Sequence, residues 1–550
     1  MLRSRLLLVL AALSVGACVH ANNPVAPPAR RGLVREGTPA SVDIALARGR
    51  GQKRAFTWST WSPESFERAR RENRLILLDG AAAWCHWCHV MDETTYLDPE
   101  VGRVLSERFV AIRVDVDERP DIEERYGDWG WPATILLTPD GRELGKYRGY
   151  LPADDLLSIL REVGAGGPGP DVGLGEARDV PVATPPVEAL PWIGARVARD
   201  MDAYYDPKQG GWGRMQKSPL GANAEFDLRR HAHGDSEALG RVVLTLEKQR
   251  ALIDPVWGGV YQYSTGGGWN APHFEKLMPY QAANLEAYAR AYAVTGKVGM
   301  LEDARRIAGY LTTFLSNADG AFLVSQDADV GAHDPAASFV DGQVYYAKGD
   351  RERRALGMPR IDDHVYAYEN GLAIAALCTL YEVSHDHGAL ARARRAADLL
   401  LRSHVTEDGA VKRAAESARQ VRYLADAASF GRAMARLAES TGELRYREAA
   451  TRIAGALIRD FGDADDPTFW AHTPDGSAVG VFARRQRPFG YNVSTARLFG
   501  ALARVTGDSS WRDRGRRVLA GISTPRALDE RGRMVGEYLL ALDEVGALGW

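Results

Sequence analysis

Apolar and polar positions follow two different periods along this 550-residue chain. In the N-terminal third, short apolar runs follow capped helices. Ser62 before Pro63 is the N-cap and first-turn proline pattern, which predicts an amphipathic helix through Arg74, and Asp98-Pro99 predicts another ending near Arg108. Leu75-Ile76-Leu77-Leu78 and the alternating stretch Phe109 to Asp117 read as strands. Gly130 to Leu137, the turn Thr138-Pro139-Asp140-Gly141 and Arg142 to Tyr147 read as a hairpin. From Val187 onward the helical period takes over, for example in Ala282 to Thr295, Leu301 to Leu315, Gly371 to Val383 and Ala389 to Leu401. The connections recur in kind. Asp206 to Gly213, Asp254 to Tyr261, Asn317 to Phe322, Thr406 to Ala410 and Asp463 to Trp470 each combine an acidic or amide residue with glycine, an aromatic or both. Helix pairs repeated irregularly, with such turns at one end, predict an α/α toroid.

The strand at Leu75 leads into Trp84-Cys85-His86-Trp87-Cys88-His89. A helix beginning at Cys85 points its free backbone N–H groups at that sulfur, and His86 and His89 add positive charge, so the thiolate is favoured. Cys85 is then the candidate nucleophile and Cys88 the resolving thiol. Two other readings stay open on the pattern. Cys85-His86-Trp87-Cys88-His89 is also the C-x-x-C-H string of haem c attachment, and a zinc site would need two further ligands. The chain has four cysteines; Cys18 and Cys378 lie elsewhere, Cys378 in an apolar helix as a core residue. The cofactor expectation is therefore a redox disulfide, Cys85–Cys88, and nothing further.

The order of strand, cysteine pair, helix, strand and proline-led strand resembles a thioredoxin fold from about Thr57 to Val163. Asp79 lies six residues before Cys85, matching the buried acid implicated in proton transfer at the resolving cysteine, and Pro132 matches the cis-proline beside the pair. The residues between the cysteines, usually Gly-Pro, are here His86-Trp87, which leaves the direction of electron flow open. Cys85-His-Trp-Cys-His-Val-Met91, with Asp117-Glu118-Arg119-Pro120-Asp121 and Gly130-Trp131-Pro132, is similar to the thioredoxin-like family represented by spermatogenesis-associated protein 20. That resemblance implies an α/β thioredoxin-like domain followed by an all-α toroid like the six-hairpin barrels of sugar-processing enzymes.

It also implies a second site at the barrel mouth. The matching positions include Trp269, His273 and Glu275 within Pro272-His-Phe-Glu-Lys276, Asp327, Asp329, Asp363 and Asn370. Carboxylates, a histidine and aromatic faces suit a carbohydrate: Glu275 or Asp327 as general acid, His273 as base, rings for stacking. The same residue types serve equally as helix caps and packing. Where relatives read Asp-Asp-Lys and Trp-Asn-Gly, this chain has Asp362-Asp363-His364 and Glu369-Asn370-Gly371.

Length adds that one core is exceeded, giving expected domains at 53–163 and 187–550 joined by a breaker-rich linker at 164–186. A net charge of −3 gives no reason to expect nucleic acid. Arg3 and Arg5 precede the apolar run Leu6 to Leu13, and Val15-Gly16-Ala17 leads to Cys18, so residues 1–18 resemble a bacterial lipoprotein signal with Cys18 as the lipidated anchor. Residues 19–52 then read as a tether. Export to the cell envelope implies a dedicated electron donor or acceptor. The combined expectation is an exported thiol-disulfide oxidoreductase with a protein thiol or disulfide partner, attached to the membrane through its lipid only. The alternative is a carbohydrate-active barrel with an accessory thioredoxin domain.

Overall fold

Leu75-Ile76-Leu77-Leu78 is apolar at every position because both faces of its strand are covered. Ile76 and Leu78 belong to one buried cluster with Phe66, Ile112 and Ile135, whereas Leu77 joins Leu105, Leu136 and Leu160 on the opposite face. The computed structural model describes residues 54–127, 130–164, 184–334, 336–417 and 419–550. The expected signal with Cys18, the tether and most of the linker lie outside the described residues.

The N-terminal domain runs β1 (Ser59–Thr60), α1 (Pro63–Glu72), β2 (Leu75–Ala81), α2 (His86–Glu93), α3 (Pro99–Arg108), β3 (Phe109–Asp115), α4 (Pro120–Tyr126), β4 (Ala133–Leu137), β5 (Glu143–Arg148) and α5 (Ala153–Gly164). Its sheet has the order β1-β3-β2-β4-β5, with β1, β3 and β2 parallel and β4 and β5 antiparallel. The expected caps form: Ser62 Oγ accepts from the Ser65 N–H, and Asp98 Oδ1 accepts from the N–H groups of Glu100 and Val101.

The C-terminal region begins with α6 (Leu190–Ala203), α7 (Gly221–Ala232) and α8 (Ala238–Gln249). Three two-residue strands, β6 (Tyr263–Ser264), β7 (Pro272–His273) and β8 (Lys276–Leu277), precede α9 (Met278–Thr295) and α10 (Val298–Thr313). β9 (Ser325–Gln326), the short helices α11 (Gly342–Tyr346) and α12 (Asp350–Leu356), and β10 (Ile361–Asp362) lead to α13 (Ala367–Ser384) and α14 (His387–Ser403). The remainder is α15 (Leu424–Thr441), α16 (Leu444–Phe461), α17 (Phe489–Thr506), α18 (Ser510–Ile522), α19 (Pro525–Arg531) and α20 (Gly536–Glu544).

Helices α7, α9, α13, α15, α17 and α20 each touch the next, and α20 touches α7, so they close a ring. An outer helix packs on each: α8 on α7, α10 on α9, α14 on α13, α16 on α15, α18 on α17, and α6, from the start of the region, on α20. This is a six-hairpin α/α toroid, as the resemblance implied. At one end the hairpins turn tightly through left-handed residues after the inner helices, Gly296, His385, Gly442 and Gly507.

At the other end the longer outer-to-inner loops gather, and inner-helix amides clamp them. Asn370 accepts from the Phe322 N–H and donates to its carbonyl, Asn492 does the same for Phe469, and Gln281 for Val260. Asn370, a candidate sugar contact in the sequence, is thus occupied in holding a loop. Lys276 is likewise structural, donating to Asp254 and to the Gly258 carbonyl as Lys217 does to Asp206 and Gly210.

The thioredoxin-like domain sits on this loop-bearing end, and the described residues of both regions fall in one compact unit, Thr38–Trp550. Phe482, from the barrel loop before α17, is buried in the core of the thioredoxin-like domain, with its ring 4.4 Å from Trp61. Beside it Gly141 and Gly480, both left-handed, approach so closely that a Cβ on Gly480 would lie 2.4 Å from the Gly141 carbonyl. Phe482→Ala is expected to cost about 3–5 kcal/mol, the usual range for deleting a buried aromatic ring. Urea unfolding measures it, and a cost under about 1 kcal/mol would mean that the insertion is not a fixed part of the core.

Candidate functional site

Cys85 stands at the N-cap of α2, and its Sγ accepts from the Cys88 N–H at 3.2 Å. The two cysteines form a disulfide, and each is almost fully buried. Trp84 is fixed by its indole N–H donating to Asp117 Oδ2 at 2.7 Å. Trp131, next to Pro132 across a cis peptide bond, packs over Gly80, where a Cβ would meet its ring at 2.7 Å. Glycine at position 80 is therefore required by the close approach of that indole.

Asp79 is buried on β2. Arg113 donates to its Oδ2 at 2.8 Å and Tyr96 to its Oδ1 at 3.3 Å. Burial raises its pKa, and the Arg113 charge offsets only part of that rise.

The histidines of the motif face the barrel. His86 Nδ1 lies 2.6 Å from Asp329 Oδ2, and His89 stands between Asp327 and Asp329 at 3.6 and 3.7 Å. His333 completes the group, with Nε2 3.0 Å from Asp327 and 2.9 Å from the Ala83 carbonyl. The loop after β9 holds both carboxylates inward: the Asp329 N–H donates to Asp327 Oδ1, and the Gly342 N–H donates to Asp329 Oδ1. Burial alone would lower the His86 pKa, but the charge and hydrogen bond of Asp329 overcome it and raise it to about 9. The same pairing holds Asp329 well below the usual carboxylate range against its burial. Asp327 and Asp329, expected at a sugar site, therefore hold α2 against the barrel.

Cys85 lines a cavity of about 550 Å³ between the two regions. Trp84, Trp87 and Trp131 wall one side; Tyr263, Tyr280, Tyr368 and Tyr491 wall the other. Glu275 and Glu369 reach it from the barrel, each leaving Oε2 buried without a partner, and Ser325 Oγ is unpartnered beside them. Burial lifts both glutamates to about 7, opposed by His86 for Glu275 and by Arg413 for Glu369. Arg413 donates to Asp426 at 3.1 Å and to the Asp117 carbonyl, tying barrel and thioredoxin-like domain together.

The other expected barrel residues divide. His273 lines a neighbouring cavity of about 560 Å³ that shares Trp87 and Glu275 with the first, and stacks on Tyr263 at 4.1 Å. Burial, helped by the His86 charge, pushes its pKa down to about 4, so it is neutral at pH 7. Trp269 is buried, its N–H donating to the Gln209 carbonyl, and presents no ring to either cavity. Asp363 is exposed and lines neither. Glu369, Arg413 and Tyr368 line the cavity although the sequence singles out none of them as a site residue; the departure Glu369-Asn370-Gly371 is a signal for Glu369 alone. Donor groups close enough to share a metal ion occur in His89, Asp327 and His333, in His86, Asp329 and Asp341, and in Asp362, Asp363 and His364.

Fold and site define a thioredoxin-like domain whose cysteine pair is covered by the mouth of an α/α toroid. Residues 50–161 match the Thioredox_DsbH family model, a protein of unknown function, DUF255. Human spermatogenesis-associated protein 20 is 30% identical over 309 residues, 50% of this chain and 39% of that protein, so the chain spans less than half of that relative's length. The thiol:disulfide interchange protein DsbD of Campylobacter jejuni is 30% identical over 104 residues, 18% of each chain. Among solved structures, a D-mannose isomerase aligns with a TM-score of 0.48 at 12% identity, covering 66% of this chain and 99% of that one. The resemblance read from the Cys85 motif is borne out by these relatives.

The His86 pairing carries a pH dependence. Its folded pKa lies above the ordinary imidazole value of about 6.5, so its stabilisation is complete below that pH and is lost as pH rises through about 9. The melting temperature is expected to fall between pH 6.5 and 9, and this fall should be strongly reduced in Asp329→Asn. An unchanged slope in that variant would contradict the pairing.

Proposed function

We propose that this protein is a thiol-disulfide oxidoreductase of the cell envelope, anchored by a lipid on Cys18, in which Cys85 exchanges with the partner's sulfur and Cys88 resolves the mixed disulfide. The observation that carries the reading is the disulfide at the start of α2, with Cys85 lining the cavity of about 550 Å³ and Cys88 lining a separate one of about 370 Å³. Three features of the site support the chemistry. The helix N-terminus favours the Cys85 thiolate, the neighbouring His86 carries positive charge, and Trp131 lines the same cavity as Cys85. Asp79, its pKa raised by burial, is the proposed acceptor of the resolving thiol's proton through the Arg113 and Tyr96 network. The barrel selects what reaches Cys85. Among the described residues no helix is long and apolar enough to cross a membrane, and the proposed attachment is the lipid alone.

A carbohydrate-active barrel is the second reading. One observation favours it: Glu275 and Glu369 each keep an unpartnered oxygen and a pKa of about 7, the range suited to acid-base catalysis at neutral pH. Under that reading Glu275→Gln abolishes sugar turnover and leaves thiol exchange intact.

Trapping separates the leading reading from its rivals. Challenged with a disulfide, reduced Cys88→Ser protein is expected to retain a covalent adduct on Cys85, visible by intact mass, and Cys85→Ser protein to retain none. An adduct found only on Cys88, or on neither, would contradict the assignment.

A further inference from the structure

Resting on the oxidoreductase reading, we infer that the substrate of Cys85 is a small organic disulfide or thiol carrying a cationic amine, bound in the cavity between the two regions. Size is the first argument. Cys85 is 3% exposed, and the face of the pair that a partner chain would approach is covered by the barrel, with Leu277 packed on the cluster that contains both cysteines. A half-open cavity of about 550 Å³ admits a small molecule.

Charge is the second. Among the described residues the cavity is lined by five carboxyl groups, Asp117, Glu123, Glu124, Glu275 and Glu369, against one cation, Arg413. That guanidinium is already taken by Asp426 and the Asp117 carbonyl. An anionic substrate therefore meets carboxyls whose nearby guanidinium is already engaged, by Glu369 at 3.9 Å as well, and a cation supplies the donors that the unpartnered Oε2 atoms of Glu275 and Glu369 lack.

Unmet hydrogen bonding is the third. Glu275 and Glu369 are at least nine-tenths buried, and each leaves one oxygen without a donor on a wall of the cavity, with Ser325 Oγ alongside. A buried acceptor without a donor is costly, and an ammonium group supplies several donors at once. Burial holds both carboxyls near neutrality in the empty site, so an arriving cation favours their charged forms and binds more strongly for it. The three indoles and four tyrosine rings add faces over which an ammonium sits favourably.

The step balances without a further reagent. The Cys85 thiolate attacks one sulfur of the substrate disulfide; a Cys85–substrate S–S bond forms, the substrate S–S bond breaks, and the first thiol leaves with a proton. The Cys88 thiolate then attacks Cys85 Sγ, restoring the Cys85–Cys88 disulfide and releasing the second thiol. Two electrons pass from the protein dithiol to the substrate, and the reverse sequence oxidises two substrate thiols.

The test is a single turnover of pre-reduced full-length protein with cystamine (cationic), bis(2-hydroxyethyl) disulfide (neutral), oxidised glutathione (anionic) and the disulfides of insulin. Formation of the Cys85–Cys88 disulfide is read by intact mass, and each rate is divided by that of dithiothreitol with the same compound. Cystamine is expected to exceed the neutral disulfide by at least about tenfold, and oxidised glutathione and insulin to be slowest, a margin that one modest charge contact supplies. Glu369→Gln and Glu275→Gln, close in shape to the native residues, should each lower the ratio of the cystamine rate to the neutral-disulfide rate by about threefold or more, and an unchanged ratio in both would overturn the inference. Oxidised glutathione or insulin matching cystamine would overturn the inference and leave the oxidoreductase reading standing. Failure of every disulfide to react would overturn both.

Discussion

A buried pair of carboxylates in the loop after β9 determines where everything else sits. Asp327 and Asp329 are withdrawn from solvent, and the groups that compensate them are His86 and His89 of the thioredoxin-like domain together with His333 of the barrel. Removing one partner of such a pair leaves an uncompensated buried charge, which typically costs about 3–5 kcal/mol. The two regions are therefore coupled where the chemistry lies, because the histidines that flank the cysteines are the ones that pair across the boundary. Phe482 and the Gly141–Gly480 contact fix a second point, and together these hold Cys85 over the cavity.

This arrangement changes what each half of the molecule does. An uncovered thioredoxin-like domain offers its nucleophilic sulfur at the surface. Here the toroid mouth covers that surface, and the barrel residues that line the cavity with the sulfur include two carboxyls and four tyrosines. In the barrel, residues expected from the sequence at a sugar site are engaged otherwise: Asp327 and Asp329 pair with the histidines, Asn370 clamps a loop, and Trp269 is buried. Glu275 and Glu369 remain toward the cavity, with oxygens unpartnered and protons poised to move near pH 7. One half-open cavity therefore brings Cys85 of the disulfide together with two carboxyls whose pKa values lie at about 7.

Much of the fold was legible in the chain. Ser62-Pro63 and Asp98-Pro99 mark helix starts because cap and first-turn chemistry is local, and both helices begin at those prolines. The recurring acidic, amide and glycine connections identify one end of the toroid, since loops before inner helices share the same clamping requirement. The thioredoxin-like cysteine pair was equally readable, because its spacing is set by a single helical turn. What the chain did not disclose is the pairing of residues far apart in sequence. His86 and Asp329 are separated by 243 positions, and no local pattern tells a carboxylate that acts on a ligand from one that answers a histidine. Glu369 and Arg413 were passed over for the same reason: their burial and their facing partners come from the closed ring and the docked domain.

The central claim is that Cys85 and Cys88 form a working redox couple in the intact molecule. Equilibrating the full-length protein across graded thiol-disulfide buffers, alkylating free thiols and measuring intact mass tests it directly. The account predicts one two-thiol transition, assigned to Cys85 and Cys88, between about −120 and −270 mV, the span of known catalytic pairs. A pair that stays oxidised through the most reducing buffer, or that never exchanges, would make the disulfide a structural staple and contradict the account.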